Sequence, residues 1–368
     1  MKLFDGAYQG KRVLVTGHTG FKGAWLSQWL LDQGAIVAGY AIDIPTQPAL
    51  FEVLGLEKKL THVQGDIRDA SALRKCFDDF TPEIVFHLAA QPLVRASYDN
   101  PVETFDVNVI GTLRVLECVR HCSSVRAAVM VTTDKCYENR EWEYGYREVD
   151  RLGGKDPYSA SKGAAELAIS SYFRSFLSQP NSPWIASVRA GNVIGGGDWA
   201  VDRIVPDAAR AWAAKLPLVI RSPDSTRPWQ HVLEPLSGYL CLGARLLAHG
   251  ENVNGEAFNF GPQKESNQTV AHLLDELRKS WPEGMVQVDT SQIANKKEAG
   301  LLMLNTERAS ARLGWHAVLT FAETAKMTMD WYKQFYTRDT ESVVQLTTRQ
   351  MHEYAQKAAD QGTSWAKG

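Results

Sequence analysis

The chain has almost no net charge: 40 basic side chains stand against 42 acidic ones, leaving −2 over 368 residues. No global field therefore favours nucleic acid or an anionic membrane surface. No apolar stretch approaches the roughly 18 residues of a membrane helix, and the first ten residues hold no apolar run of signal-peptide length. The expected location is the cytoplasm, and the expected partners are small molecules and other copies of the chain. Cysteine is sparse at five, an odd number, which fits reduced thiols better than a disulfide framework. Cys118 and Cys122 flank His121 on a helix-like stretch, but no second pair completes a zinc site, so no metal is expected. Internal repeats and low-complexity segments are missing too. What is present, 44% hydrophobic, 10% aromatic and 22% charged residues, excludes disordered, collagenous and coiled-coil chains and predicts a packed core.

Short β-branched runs with little alternation occur at 11–16, 36–42, 61–64, 84–88, 127–132 and 185–189, as in strands buried on both faces of a parallel sheet. Helix-like segments at 24–31, 71–80, 101–120 and 157–176 lie between most of them. The alternation predicts an α/β fold with a Rossmann-type doubly wound parallel sheet and right-handed crossovers. Beyond residue 190 turn formers accumulate, and a smaller C-terminal α/β lobe is expected. Helices are predicted there at 236–248 and 269–280, a strand at 257–260, and an amphipathic helix over the last thirty residues.

Gly17, Gly20 and Gly23 fall directly between the first strand and its helix. Without side chains the backbone can turn tightly and approach a pyrophosphate, whose charge meets free N–H groups at the helix start. Asp43 closes the second strand, 20 residues beyond Gly23, where a carboxylate accepts ribose hydroxyls and repels a 2′-phosphate. No Lys or Arg lies in 38–46, so NAD is expected rather than NADP. Downstream, Tyr158 and Lys162 are four apart on one helix face, with Pro157 in the first turn. A phenol beside an ammonium is a candidate acid–base, its pKa expected to fall from about 10 next to Lys162 and a cationic nicotinamide. His87 reads as a satisfied core histidine, and Trp199 and Trp229 as either base-stacking or packing residues.

Gly17-x-x-Gly20-x-x-Gly23, His87-Leu-Ala-Ala-Gln91, the Thr-Thr-Asp segment at 132–134 and Tyr158-x-x-x-Lys162 together resemble the extended short-chain dehydrogenase/reductases of the nucleotide-sugar branch. More narrowly, Gly17-His-Thr-Gly-Phe-Lys-Gly23, the run Thr133–Arg140 and Arg227-Pro-Trp-Gln-His231 are similar to the CDP-glucose 4,6-dehydratase family. The resemblance implies NAD held by Gly17, Thr19, Gly20, Phe21, Lys22, Gly23, Asp43, Asp66, Ile67, Leu88, Ala89, Ala90 and Gln91, with Tyr158 and Lys162. It implies that Tyr158 deprotonates the sugar 4-hydroxyl, that Thr133 bonds the same oxygen, and that Asp134 is the acid for the departing 6-hydroxyl. Related dehydratases place a glutamate base after that aspartate; here it is Lys135, so the C5 base is Lys135 or another group such as Glu138. Gln91, Thr133, Asn192, Arg203, Arg227 and His231 are the implied contacts of the sugar nucleotide, CDP-glucose.

The implied domains are 1–190 with return segments near 232–262 for NAD, and 191–231 with 263–368 for the sugar nucleotide. A homodimer or homotetramer pairing through 101–120 and 157–176 is implied as well, as is a role in making a deoxysugar of a bacterial surface polysaccharide such as the O-antigen of lipopolysaccharide. Two other readings remain. A sugar-nucleotide 4-epimerase also oxidises C4 but needs no acid after Thr133, and it leaves substrate mass unchanged. A non-catalytic dinucleotide-sensing module would not need Tyr158, Lys162 and Thr133 together.

Overall fold

The apolar runs form seven strands: β1 Arg12–Thr16, β2 Ile36–Ala41, β3 Thr61–Gln64, β4 Ile84–His87, β5 Ala127–Val131, β6 Trp184–Ala190 and β7 Ala257–Phe260. All pair in parallel, in the order β7-β6-β5-β4-β1-β2-β3. The chain winds outward from β1 to β3, returns to β4 beside β1, and winds outward again. This is the doubly wound Rossmann-type topology. Its switch point lies between β1 and β4, where the loops leaving the carboxyl ends diverge and open a crevice. The computed structural model describes residues 2–289, 301–338 and 342–367. Residues 290–300, 339–341 and 368 of the lobe expected over 263–368 lie outside the described residues.

Successive residues of the central strands enter opposite cores, as the two-residue period of a strand requires. Leu14, Val85, Ala128 and Ile185 pack on one face against Leu73 and Phe77 of α2 (Ala70–Phe80), Leu116 of α3 (residues 101–121) and Ile169 of α4 (Pro157–Tyr172). Val13, Phe86, Val129 and Val188 pack on the other against Trp25 and Trp29 of α1 (Phe21–Asp32) and Leu236 of α6 (Leu233–Leu247). The second core runs on without a break into the residues after 190. There α5 (Ile204–Ala213), α7 (Val270–Ser280), α8 (Phe321–Thr337) and α9 (Val343–Asp360) add Trp212, Leu273, Trp331 and Tyr354 to it.

Helices α5 and α8 stand where no helix is predicted from the sequence. Thr320 and Glu323 form a capping box that starts α8. The uninterrupted helix expected over 101–120 is corrected as well: α helix at Pro101–Phe105 and Thr112–His121 is joined by a π-helical segment, Asp106–Gly111. Asn108 in that segment accepts from Gln91 N at 2.8 Å and donates to Ser161 Oγ at 2.9 Å, tying the loop after β4 to α4. π segments of this kind often mark functional sites, because the extra residue re-aims one side chain. The expected end of α4 at 176 also gives way to π helix, at Phe173–Leu177.

His87 is 2% exposed and bonds Thr16 and Thr112, as a core histidine does. Trp199 packs among Trp331, Tyr332 and Phe335, and Trp229 donates to Gln268 O, so both tryptophans serve packing. All five cysteines are buried and unpaired. Among the described residues no group of three or more His, Cys, Asp or Glu is arranged to hold a metal, and no helix is long and apolar enough to cross a membrane.

Candidate active site

Because the sheet is parallel, the segments after β1, β4, β5 and β6 emerge at one edge, and the sequence motifs sit on them. The loop after β1 is shaped by glycine. Gly17 has φ +73°, and a Cβ there would lie 2.8 Å from Ala89 N; one on Gly23 would lie 2.1 Å from Gly17 O. Both positions are closed to any other residue by the chain's own packing. Gly20 differs. A Cβ there would meet only Gly17 O, at 3.4 Å, so the protein leaves that side of the loop open. Gly20 is also the N-cap of α1, where no side chain caps the first-turn N–H groups. An uncapped helix start beneath an open glycine face is a cradle for a pyrophosphate, and it fits a dinucleotide.

Around this cradle, Thr19 donates to Asp43 O at 2.6 Å, joining the loop to the end of β2, where Asp43 is exposed. Asp66 bonds Arg68 through both carboxylate oxygens, and Ile67 is buried at the end of β3. Leu88, Ala89 and Ala90 line the exit of β4 half-buried, with the N–H groups of Leu88 and Ala89 pointing at Thr16 Oγ1. The Gln91 side chain bonds Leu93 of its own loop and Thr104 of α3.

The chemistry-bearing residues come from β5 and α4. Asp156 caps α4 and Pro157 occupies its first turn, so the helix begins where Tyr158 meets the residues after β5. Thr133 donates to Asp134 Oδ1 at 2.9 Å, its Oγ1 accepts from Lys135 N at 3.4 Å, and its hydroxyl draws the Tyr158 pKa down against burial. Thr133, Asp134, Tyr158 and Lys162 are 7%, 3%, 8% and 6% exposed. Asp134 presses against Gly191, where a Cβ would come 2.7 Å from Oδ2, so the loop after β6 forms the floor beneath the carboxylate. Asn192 follows on that floor, half-buried. Arg203 pairs with Asp198 at 2.7 Å and feels the charge of Tyr158.

Burial dominates the electrostatics. It pushes the Asp134 carboxyl up, against the opposing pull of Lys135, Thr133 and Lys22. Lys162 is brought down to about 8 by burial, with Glu166 resisting. Lys22 is also brought down to about 8, by burial and by Arg203, with Asp134 resisting. Tyr158 goes up to about 12 through burial, although Thr133 and Arg203 oppose the rise. The expected fall concerns the phenol beside Lys162 and a bound nicotinamide; in the chain alone the loss of water around the phenol outweighs the stabilising contacts.

Other predicted site residues are placed elsewhere. His231 is fully buried, with its ring edge-on to Trp25 and Nδ1 accepting from Leu233 N. It stands in the core and not on a wall that a sugar nucleotide can touch, which corrects the expectation. Arg227 lies on a short strand, Thr226–Pro228, paired with Asn267–Thr269. Glu138 is bound by Arg151 at 2.9 Å and by Arg140 at 3.7 Å, in a surface cluster of arginines. Lys135 is half-buried beside Asp134.

One residue escaped the sequence reading. Tyr239 of α6 is fully buried, its ring lies 6.0 Å from Lys22 Nζ, and its hydroxyl has no hydrogen-bond partner among the described residues. It feels the charges of Asp134 and Tyr158. A phenol inside the apolar run Leu236–Leu242 is the signal that marks it, because a buried hydroxyl ordinarily finds a partner.

Comparison with known proteins agrees with this arrangement. Residues 14–328 match the family described as GDP-mannose 4,6 dehydratase. The chain is 49% identical over 334 residues to CDP-glucose 4,6-dehydratase of Salmonella typhimurium, covering 89% of this chain and 91% of that one. It is 32% identical over 183 residues to CDP-paratose 2-epimerase of Salmonella typhi, covering 45% of this chain and 54% of that one. The structure of dTDP-glucose 4,6-dehydratase from Bacillus anthracis in complex with NAD matches with a TM-score of 0.73 at 19% identity, over 88% of this chain and 97% of that one. At that identity the likeness is one of fold. The glycine cradle, the Thr133-Asp134 pair, the Tyr158–Lys162 helix face and the match over residues 14–328 place this chain in the GDP-mannose 4,6 dehydratase family of extended short-chain dehydrogenase/reductases.

Proposed function

We propose that the protein converts CDP-D-glucose to CDP-4-keto-6-deoxy-D-glucose and water. The observation that carries this reading is Asp134: a buried carboxyl, its pKa raised, hydrogen-bonded to Thr133 and grouped with Tyr158. A carboxyl whose pKa burial raises, beside the group that deprotonates a sugar hydroxyl, suits elimination, which epimerisation does not require. The similarity to the Salmonella typhimurium enzyme supports the choice of nucleotide.

The residues suited to hold NAD are the loop Gly17–Gly23, Asp43 at the ribose, Asp66 and Ile67 at the adenine, and Leu88, Ala89, Ala90 and Gln91 along the pyrophosphate and nicotinamide ribose, with Tyr158 and Lys162. When bound, NAD supplies an acceptor for hydride from C4 and returns it to C6. Tyr158 takes the proton of the 4-hydroxyl, and Thr133 bonds the same oxygen. The resulting ketone acidifies C5, where the base that removes the proton and later gives it back is Lys135 or another group such as Glu138. Asp134 protonates the 6-hydroxyl as it leaves. Asn192, Arg203 and Arg227 contact the sugar nucleotide, arginine forks suiting its diphosphate.

In this reading residues 1–190 with 232–262 serve NAD, and 191–231 with 263–368 serve the sugar nucleotide. The protein works in the cytoplasm as a dimer or tetramer paired through α3 and α4, in supply of a deoxysugar for a surface polysaccharide. The test is to incubate it with CDP-, dTDP-, UDP- and GDP-glucose and weigh the products. Loss of one water from CDP-glucose is expected. An isomer of unchanged mass would make it an epimerase, and no turnover despite NAD binding would make it a sensing module.

A further inference from the structure

The residues suited to act on the sugar come from two places in the fold. Thr133, Asp134 and Lys135 follow β5, whereas Tyr158 and Lys162 stand on α4. A reaction shared between them needs the strand end and the helix held in register, since a misplacement of about 1 Å can cost on the order of 10²-fold in rate. Asn108 and Ser161 tie α4 to the loop after β4. Glu166 ties it to the strands that lead into the site.

Glu166 lies one turn beyond Lys162 and two beyond Tyr158, on the same face of α4. Its two oxygens are divided between two strands. Oε1 accepts from the hydroxyl of Thr132, one residue past the end of β5, at 2.5 Å. Oε2 accepts from Ser187 Oγ at 2.9 Å and from Arg189 Nη2 at 2.7 Å, two β6 residues that alternation places on one side of the sheet. Arg189 turns its other terminal nitrogen, Nη1, to the Tyr137 hydroxyl at 2.7 Å, and that hydroxyl donates to Asn259 Oδ1 at 2.8 Å. The segment 133–136 is thus bounded on each side by a residue bonded to one half of a single ion pair. Thr132, Tyr137, Glu166 and Arg189 are all less than a tenth exposed, so little water competes for these bonds.

We propose that Glu166 and Arg189 are a positioning pair for the reaction: by holding Thr132 before the segment and Tyr137 after it, they set Thr133, Asp134 and Lys135 against Tyr158. The inference rests on the dehydratase reading above and deepens it. Neither member of the pair touches the sugar. Glu166 fixes how α4 is rotated and advanced against the end of β5, and Arg189 fixes the far end of the segment.

Three hydroxyl deletions test this, because each removes one bond to the pair and leaves both charges in place. Thr132→Val and Tyr137→Phe cut the links to the segment, while Ser187→Ala cuts a link to β6 alone; in Tyr137→Phe the arginine keeps Glu148 O as a partner. With NAD-loaded protein and CDP-glucose, Thr132→Val and Tyr137→Phe should lower kcat about 10–100-fold and change KM less than about threefold. Ser187→Ala should lower the melting temperature as Thr132→Val does, yet leave kcat within about twofold of the wild type. Thr132→Ser should restore the rate. A kcat within about twofold of the wild type in both Thr132→Val and Tyr137→Phe, or an equal fall in Ser187→Ala, would overturn the proposal. Should Thr132→Val not fold, Tyr137→Phe against Ser187→Ala decides. Failure of the wild type to form a 4-keto-6-deoxy product strikes the underlying reading instead.

Discussion

Two buried ionic clusters share helix α4, one turn apart. Around Glu166 the charges are matched: its carboxylate meets Arg189 at 2.7 Å and accepts from Thr132 and Ser187, while Arg189 also donates to Tyr137 at 2.7 Å and to Glu148 O. Burial alone would push the Glu166 pKa up, but Arg189 and these donors hold it below the ordinary carboxylate range. Around Lys162 the charges are unmatched. Lys162 and Lys22 have no hydrogen bond or ion pair among the described residues, and both are brought down to about 8 by burial. The fold that pairs Glu166 with Arg189 leaves the amines of Lys162 and Lys22 with no hydrogen bond or ion pair among the described residues. The difference separates a cluster that holds the structure from one that waits for a ligand.

Breaking the matched cluster should have the largest effect. Glu166→Ala leaves Arg189 buried without its partner and should cost about 3–5 kcal/mol in urea unfolding, with Glu166→Leu/Arg189→Met recovering most of it. A loss under about 1 kcal/mol would put the two clusters on the same footing. Tyr158→Phe should leave stability unchanged and reduce turnover about 10²–10⁴-fold, measured by product mass against time.

Lys22→Met should do the reverse of Glu166→Ala and stabilise the chain by about 1–3 kcal/mol, because it removes a desolvated amine. The pH dependence follows from the direction of the shift. The folded amine lies near 8 and the unfolded one near 10.5, so between them the unfolded chain binds more protons. Stability should therefore rise as pH climbs from about 8 towards 10.5, with the full penalty present below 8. Part of that rise should vanish in Lys22→Met. Tyr239→Phe should be the mildest change, altering turnover less than about tenfold and stability little, since its hydroxyl has no partner to lose.

The sheet was legible because a strand buried on both faces leaves an unbroken apolar run, as Val13-Leu14-Val15 does in β1 and Ile84-Val85-Phe86 in β4. The shared face of Tyr158 and Lys162 on α4 was legible because the two residues have helical spacing and Asp156-Pro157 marks the start. Long-range properties were not. The break in α3 depends on Asn108 reaching Gln91 and Ser161, and His231 looks polar in sequence although the fold packs it on Trp25. The direction of the Tyr158 shift depends on how completely the surrounding elements exclude water, a quantity that no local spacing encodes.

The central claim is that residues 133, 134 and 158 act on one hexose whose C4 hydrogen is lent and returned. CDP-glucose carrying deuterium at C4 tests it directly, with the product examined by NMR. The account predicts deuterium in the new C6 methyl group of a 4-keto sugar. Deuterium retained at C4, or lost to solvent, would contradict it.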